Sequence, residues 1–226
     1  MTVSKKATSS SSKNLITYSD VFVFVPNLIG YTRVFLTAVA VYSMYSEHPH
    51  MMVLSYAISE LLDAADGYYA RKLNQCSKFG EVLDMVTDRC TTVCLMTYLT
   101  KLYPSLSMII CFLISLDISS HYMQMYASLA SGNSNHKQMD ENAHPILKAY
   151  YTKRIVLFWV CFGNETFFIL SYYVKYLSGF SYYLTFTMLI VSFPVFALKN
   201  TINGIQLYEA SKQLAKGDAD ALNKST

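Results

Sequence analysis

Residues Leu62 to Arg89 read LDAADGYYARKLNQCSKFGEVLDMVTDR and hold four aspartates, Asp63, Asp66, Asp84 and Asp88. Positions three or four apart share a helix face. Asp63 and Asp66 therefore lie together on one helix, and Gly80, Asp84 and Asp88 lie together on the next. The polar segment from Lys72 to Lys78 turns the chain back between them. Two antiparallel helices then bring four carboxylates to one spot. Four like charges in a partly apolar site repel one another unless protons or cations intervene. A pair of divalent cations removes that conflict. Oxygen ligands without a cysteine or histidine partner point to two ions of Mg2+ or Mn2+ rather than zinc. Two such ions suit displacement at phosphorus, because they stabilise both the attacking and the leaving oxygen. The competing reading makes each aspartate a helix-pairing or water-contacting residue. Acids inside a membrane are by default functional, which favours the site.

The surrounding chain supplies the membrane. Its 226 residues are 53% hydrophobic and only 15% charged, with a mean hydropathy of +0.26. The fold class that follows is all-α, a polytopic membrane protein built as a bundle of six transmembrane helices, each needing about 20 residues. The expected spans run from Asn27 to about Met44, Met51 to Lys72, Lys78 to Leu102, Pro104 to Leu129, Ile155 to Leu177 and Tyr182 to Leu198. The last can continue as helix towards Tyr208. Asn27 can cap the first span. Within it, Arg33 either snorkels to the interface or contacts a phosphate or carboxylate. Residues 1–14 are Ser- and Lys-rich and read as a disordered tail. Residues 15–208 form the membrane domain, beginning with a stretch from Leu15 to Val25 that lies on the membrane surface. Residues 209–226 form a polar tail, and the segment between the fourth and fifth spans reads as a polar loop. Five cysteines without a CxxC pair suggest buried free thiols, not a zinc site or a disulfide framework. The net charge of +3 is small, and no nucleic-acid partner is expected.

Small residues flank the second acidic position. Gly67 and Ala70 let a flat base or a sugar approach the backbone, or let helices pack tightly. Arg71 offers a fork for diphosphate oxygens. Ser77 stands where the third span begins, either as an anion contact or as a plain helix cap.

The motif Asp66-Gly67, Ala70-Arg71, Gly80, Asp84, Asp88, with Asp63 ahead of it, resembles the signature of the CDP-alcohol phosphotransferase family. VPNLIGYTRV, LDISSHYMQMYASL, YYTKR and Gly163-Asn164-Glu165 are similar to the eukaryotic phosphatidylinositol synthases within it. The resemblance implies that Asp63, Asp66, Asp84 and Asp88 bind two metal ions and that Asp88 also deprotonates the acceptor alcohol. It implies that Gly67, Arg71 and Ser77 contact CDP-diacylglycerol, and that myo-inositol is the acceptor. Asp117, His121 and Arg154 are candidate inositol contacts, with a buried helix-tying network as the competing reading. A homodimer in the endoplasmic reticulum membrane is implied as well. Another acceptor within the family remains open on the signature alone. From a different class, a cation transporter would show inverted repeats, which are not visible.

Six spans put both termini and all four aspartates on one face. Most lysines and arginines fall there, with only Lys101 and Lys175 opposite, which makes the populated face cytoplasmic. A single cysteine introduced by Asn135→Cys in a cysteine-free background is then expected to react with an impermeant thiol reagent on sealed microsomes. Protection until detergent is added would reverse the orientation.

Overall fold

The computed structural model describes residues 15–130 and 145–225, and every regular element among them is helical. The N-terminal tail and the segment around Asn135 lie outside the described residues. Helix α1 (Tyr18–Phe22) opens with a capping box: Asp20 N–H donates to the Thr17 hydroxyl, and the Asp20 carboxylate accepts from Thr17 N–H at 2.7 Å. Leu15, Ile16 and Tyr18 around it are exposed, as suits a segment lying on a membrane.

Helix α2 (Val25–Tyr45) starts two residues before the expected cap, with Phe24 as its N-cap. Pro26 occupies the first turn, where a missing N–H costs nothing. Asn27 is buried and caps nothing; its Nδ2 donates to the Val21 carbonyl at 2.5 Å and pins α1 to α2. Helices α3 (Pro49–Lys72), α4 (Lys78–Leu102), α5 (Ser107–Ala130) and α7 (Arg154–Tyr173) match the expected spans within a few residues. Two elements differ. Helix α6 (Pro145–Thr152) lies in the segment read as loop. Its Leu147 and Tyr150 share one face and are buried with Val160 and Ile202, a pairing that the surrounding polar residues hid. Helix α8 (Gly179–Ser225) runs through the polar tail as one 47-residue helix.

Among the described residues four stretches are both long and apolar enough to cross a bilayer: α2, Pro104–Ala130, Ile155–Tyr176 and Gly179–Lys224 of α8. Helices α3 and α4, of 24 and 25 residues, are as long. They carry the acidic and basic residues of the quoted stretch, and hydropathy alone does not qualify them.

Apolar packing concentrates at the end of the bundle away from the aspartates. Met44, Met52, Tyr56, Leu95, Tyr98 and Tyr172 are almost wholly buried there, from α2, α3, α4 and α7. At that same end Lys101 lies over Tyr98, and Lys175 lies over Tyr103 at 4.3 Å. The outer faces of α5 and α8 expose large apolar side chains such as Met108, Phe112, Phe180 and Val191. Exposure on this scale suits lipid and not water. All five cysteines are free, but the expectation that they are buried fails: Cys76, Cys90 and Cys111 are exposed. In a bilayer bundle the outward face is apolar too, so an apolar neighbourhood does not imply an interior position.

Gly80 has a specific packing reason. A Cβ there would stand 2.6 Å from Asn27 Oδ1 and 3.2 Å from Ser77 Oγ. Asn27 cannot yield without giving up its bond to Val21. Gly80→Leu is therefore expected to cost roughly 1–3 kcal/mol, read as a lower melting temperature in detergent. Gly204, in α8, has nothing within 4 Å of its would-be Cβ. Gly204→Ala should gain roughly 0.5–1 kcal/mol from helix propensity alone. Equal shifts from both would refute the close approach of α2 to α4.

Candidate active site

Helix α3 ends and α4 begins at the same end of the bundle, so Asp63 and Asp66 meet Asp84 and Asp88. The turn between them is short because Asn74 takes a left-handed conformation (φ 54) and Ser77 caps α4, accepting from Gly80 N–H at 3.0 Å. One carboxylate oxygen each from Asp63, Asp66 and Asp84 lies within 4.8 Å of the others.

Arg33 of α2 reaches into the centre of this group. Its side chain is 1% exposed, so it does not snorkel. Its Nη1 donates to Asp66 Oδ2 at 2.9 Å and Asp84 Oδ1 at 2.8 Å, and pairs with Asp63 Oδ1 at 2.8 Å. Its Nη2 donates to Asp88 Oδ1. A single cation thus touches all four carboxylates. Asp63 is the most open, at 42% side-chain exposure, and Asp66 the most enclosed, at 10%. The cluster is therefore approached from the Asp63 side.

Arg71 and Gly67 are one turn apart on α3, and a Cβ on Gly67 would lie 3.3 Å from Arg71 Nη1. The guanidinium thus lies over the bare backbone of Gly67, the residue after Asp66. Ser77 performs the capping role. Asp117 and His121 sit elsewhere, behind Asp88. Arg89 Nη1 donates to both oxygens of Asp117, at 2.8 and 3.0 Å, and its Nη2 lies 3.8 Å from Asp88 Oδ2. Asn203 Nδ2 of α8 donates to Asp117 Oδ1 at 3.2 Å. His121 Nδ1 is 2.8 Å from the Asp117 carbonyl on its own helix. Arg154 opens α7, and its side chain lies outside the described residues.

A family model described as CDP-alcohol phosphatidyltransferase matches residues 23–200, which contain the whole cluster. The chain belongs to the CDP-alcohol phosphatidyltransferase family. Within this family it is similar to proteins named CDP-diacylglycerol--inositol 3-phosphatidyltransferase. The one from Candida albicans is 46% identical over 210 residues, covering 93% of this chain and 90% of the relative. The one from Saccharomyces cerevisiae is 43% identical, covering 96% and 97%. The one from Homo sapiens is 40% identical, covering 88% and 95%. No solved structure matches the chain.

The residues present suit the metal ions that such a phosphatidyltransferase site implies. The donors are hard carboxylate oxygens that converge as ligands do, and a cation already sits among them. With all four ionised, Arg33 leaves an excess of three negative charges, which two divalent ions would offset.

Sequence reasoning did not find the second ring of this site. Glu165 accepts from the Tyr56 hydroxyl at 2.7 Å and the Thr92 hydroxyl at 3.1 Å. Lys199 is buried and donates to Asn203 Oδ1. Arg89 was visible beside Asp88, but its partner Asp117 lies 28 residues away and nothing local links them.

Arg33→Ala removes the one cation that contacts all four aspartates. In chelator this is expected to cost roughly 2–4 kcal/mol, somewhat less than a fully buried broken pair because the aspartates keep some solvent. Mn2+ should then raise the melting temperature of the variant more than that of the wild type. A variant that melts like the wild type in chelator would show that the guanidinium neutralises nothing.

Proposed function

We propose that this chain transfers the phosphatidyl group of CDP-diacylglycerol to myo-inositol, giving phosphatidylinositol and CMP. The observation that carries the reading is the convergence of Asp63, Asp66, Asp84 and Asp88 in a chain so similar, along most of its length, to inositol phosphatidyltransferases. An inositol hydroxyl oxygen attacks the phosphorus that bears diacylglycerol. The bond from that phosphorus to the CMP oxygen breaks, and CMP leaves with the electron pair. Asp88 takes the proton of the attacking hydroxyl. Asp63, Asp66, Asp84 and Asp88 would hold two Mg2+ or Mn2+ ions, which supply charge stabilisation at the attacking and leaving oxygens. Gly67 and Arg71 receive the nucleotide diphosphate at the open side of the cluster, and Ser77 lies at the adjoining helix start. Asp117, His121 and Arg154 are proposed to serve the inositol side, Asp117 by holding Arg89 next to Asp88.

The same reading takes the bundle as six spans. Helices α3 and α4 would each extend about 36 Å, enough for a hydrocarbon core of about 30 Å. Their four aspartates turn inward to Arg33 and away from lipid. A homodimer in the endoplasmic reticulum membrane, with the site and both termini facing the cytoplasm, completes the proposal.

Purified protein with CDP-diacylglycerol, Mn2+ and labelled inositol is expected to form labelled lipid. Labelled serine or glycerol phosphate should not be incorporated. Asp88→Asn should lower turnover by about 10²–10⁴-fold or more, since the general base is lost. Its melting temperature should remain measurable as a cooperative transition. Normal turnover in a folded Asp88→Asn protein would remove Asp88 from the mechanism.

A further inference from the structure

Gly163-Asn164-Glu165 in α7 has no part in the transfer as described. Glu165 is buried and its carboxylate is fully engaged: Oε2 accepts from Tyr56, and Oε1 accepts from Thr92 and from Asn164 Nδ2 at 3.2 Å. An amide does not turn its oxygen towards a carboxylate, so Glu165 dictates how Asn164 is oriented. Asn164 Oδ1 must then point away from Glu165. It has no hydrogen-bond partner, on a residue only 6% exposed. On α4, which packs against α7, Arg89 spends Nη1 on Asp117 and leaves its buried Nε–H without an acceptor. Among the described residues only four buried side-chain atoms lack a partner, and two of them belong to Asn164 and Arg89, on helices that pack against each other. Native interiors rarely leave such groups unpaired without a reason.

The depth is right for the reaction. The Thr92–Glu165 hydrogen bond sets the register of α7 against α4, so Asn164, next to Glu165, lies about one helical turn along the bundle from Asp88. Thr92, which bonds Glu165, lies one helical turn beyond Asp88, about 5.4 Å along the axis. A six-membered polyol with one hydroxyl at Asp88 carries others over that span. One orphan is a donor and the other an acceptor, and a hydroxyl answers both.

We propose that Asn164 Oδ1 and Arg89 Nε–H bind non-reacting hydroxyls of the acceptor, so that Asn164, oriented by Glu165, selects a neutral polyol. A carboxylate or phosphate placed at Asn164 Oδ1 would meet an acceptor with no proton to give, so that position takes a hydroxyl and not an anionic group. This assignment rests on the transfer reading above.

The test uses the full-length protein in detergent with CDP-diacylglycerol, Mn2+, inositol and a series of monodeoxy-inositols. Asn164→Ala is expected to raise KM for inositol about tenfold, as the loss of one well-formed hydrogen bond does. KM for CDP-diacylglycerol should stay within about twofold, since no donor contact is lost. One monodeoxy-inositol should be impaired about tenfold with the wild type and no further with the variant, because the lost bond is the same one. An unchanged inositol KM, or a lowered melting temperature alone, overturns the assignment and makes Asn164 a packing residue bridged by water. Should Asn164→Ala fail to fold, the wild type decides. If no monodeoxy-inositol is impaired more than twofold, the assignment also falls. A wild type that makes no labelled lipid from inositol sinks the transfer reading itself, whereas lipid formation with an unchanged variant KM sinks only the role of Asn164.

Discussion

One guanidinium organises the whole acidic end of this molecule. Arg33 comes from α2, Asp63 and Asp66 from α3, and Asp84 and Asp88 from α4. Lipid gives helices little reason to associate by apolar burial, so packing and polar contacts must supply it. Here a single side chain ties three helices together and holds carboxylates that would otherwise drive them apart. Arg33 is fixed in turn by the backbone: the Ser59 hydroxyl donates to the Arg33 carbonyl at 3.3 Å. The arrangement is charge-deficient by design of its sequence. One arginine cannot balance four aspartates, and the shortfall is what makes the cluster receptive to further cations.

Beyond this first ring, polar contacts continue through the bundle where an ordinary core would be. Asn203, Asp117 and Arg89 connect α8, α5 and α4, and Glu165 connects α7 to α3 and α4. Buried polar groups are costly unless every member is satisfied. Nearly every member is satisfied here. The apolar core lies at the other end, where aromatic rings and methionines pack between α2, α3, α4 and α7.

Much of this was legible in the sequence. The spacing of Asp63, Asp66, Gly80, Asp84 and Asp88 gave the helix faces, and Lys72 to Lys78 gave the turn. Periodicity reports what shares a face of one helix; it does not report which side chain of another helix arrives there. For that reason both readings of Arg33 fit the sequence, and only its four partners decide between them. Lys199 shows the same limit, since its place near the end of an apolar run does not reveal that it is buried against Asn203. Helix α6 was missed because only Leu147 and Tyr150 turn inward in a segment that is otherwise polar. Asn27 was read as a cap because Pro-Asn punctuation is local, whereas its bond to Val21 depends on α1 folding back.

Helix α8 has a different sort of consequence. At 1.5 Å per residue its 47 residues extend about 70 Å, more than twice the hydrocarbon thickness of a bilayer. It is buried against the bundle at Ala210, which is 1% exposed, and stays partly buried as far as Leu214. The C-terminus is thus carried on a stiff mast and not on a slack tether. A fluorophore rigidly attached near Lys216 would tumble with the bundle itself, so its polarisation would read the tilt of the whole protein against the membrane normal.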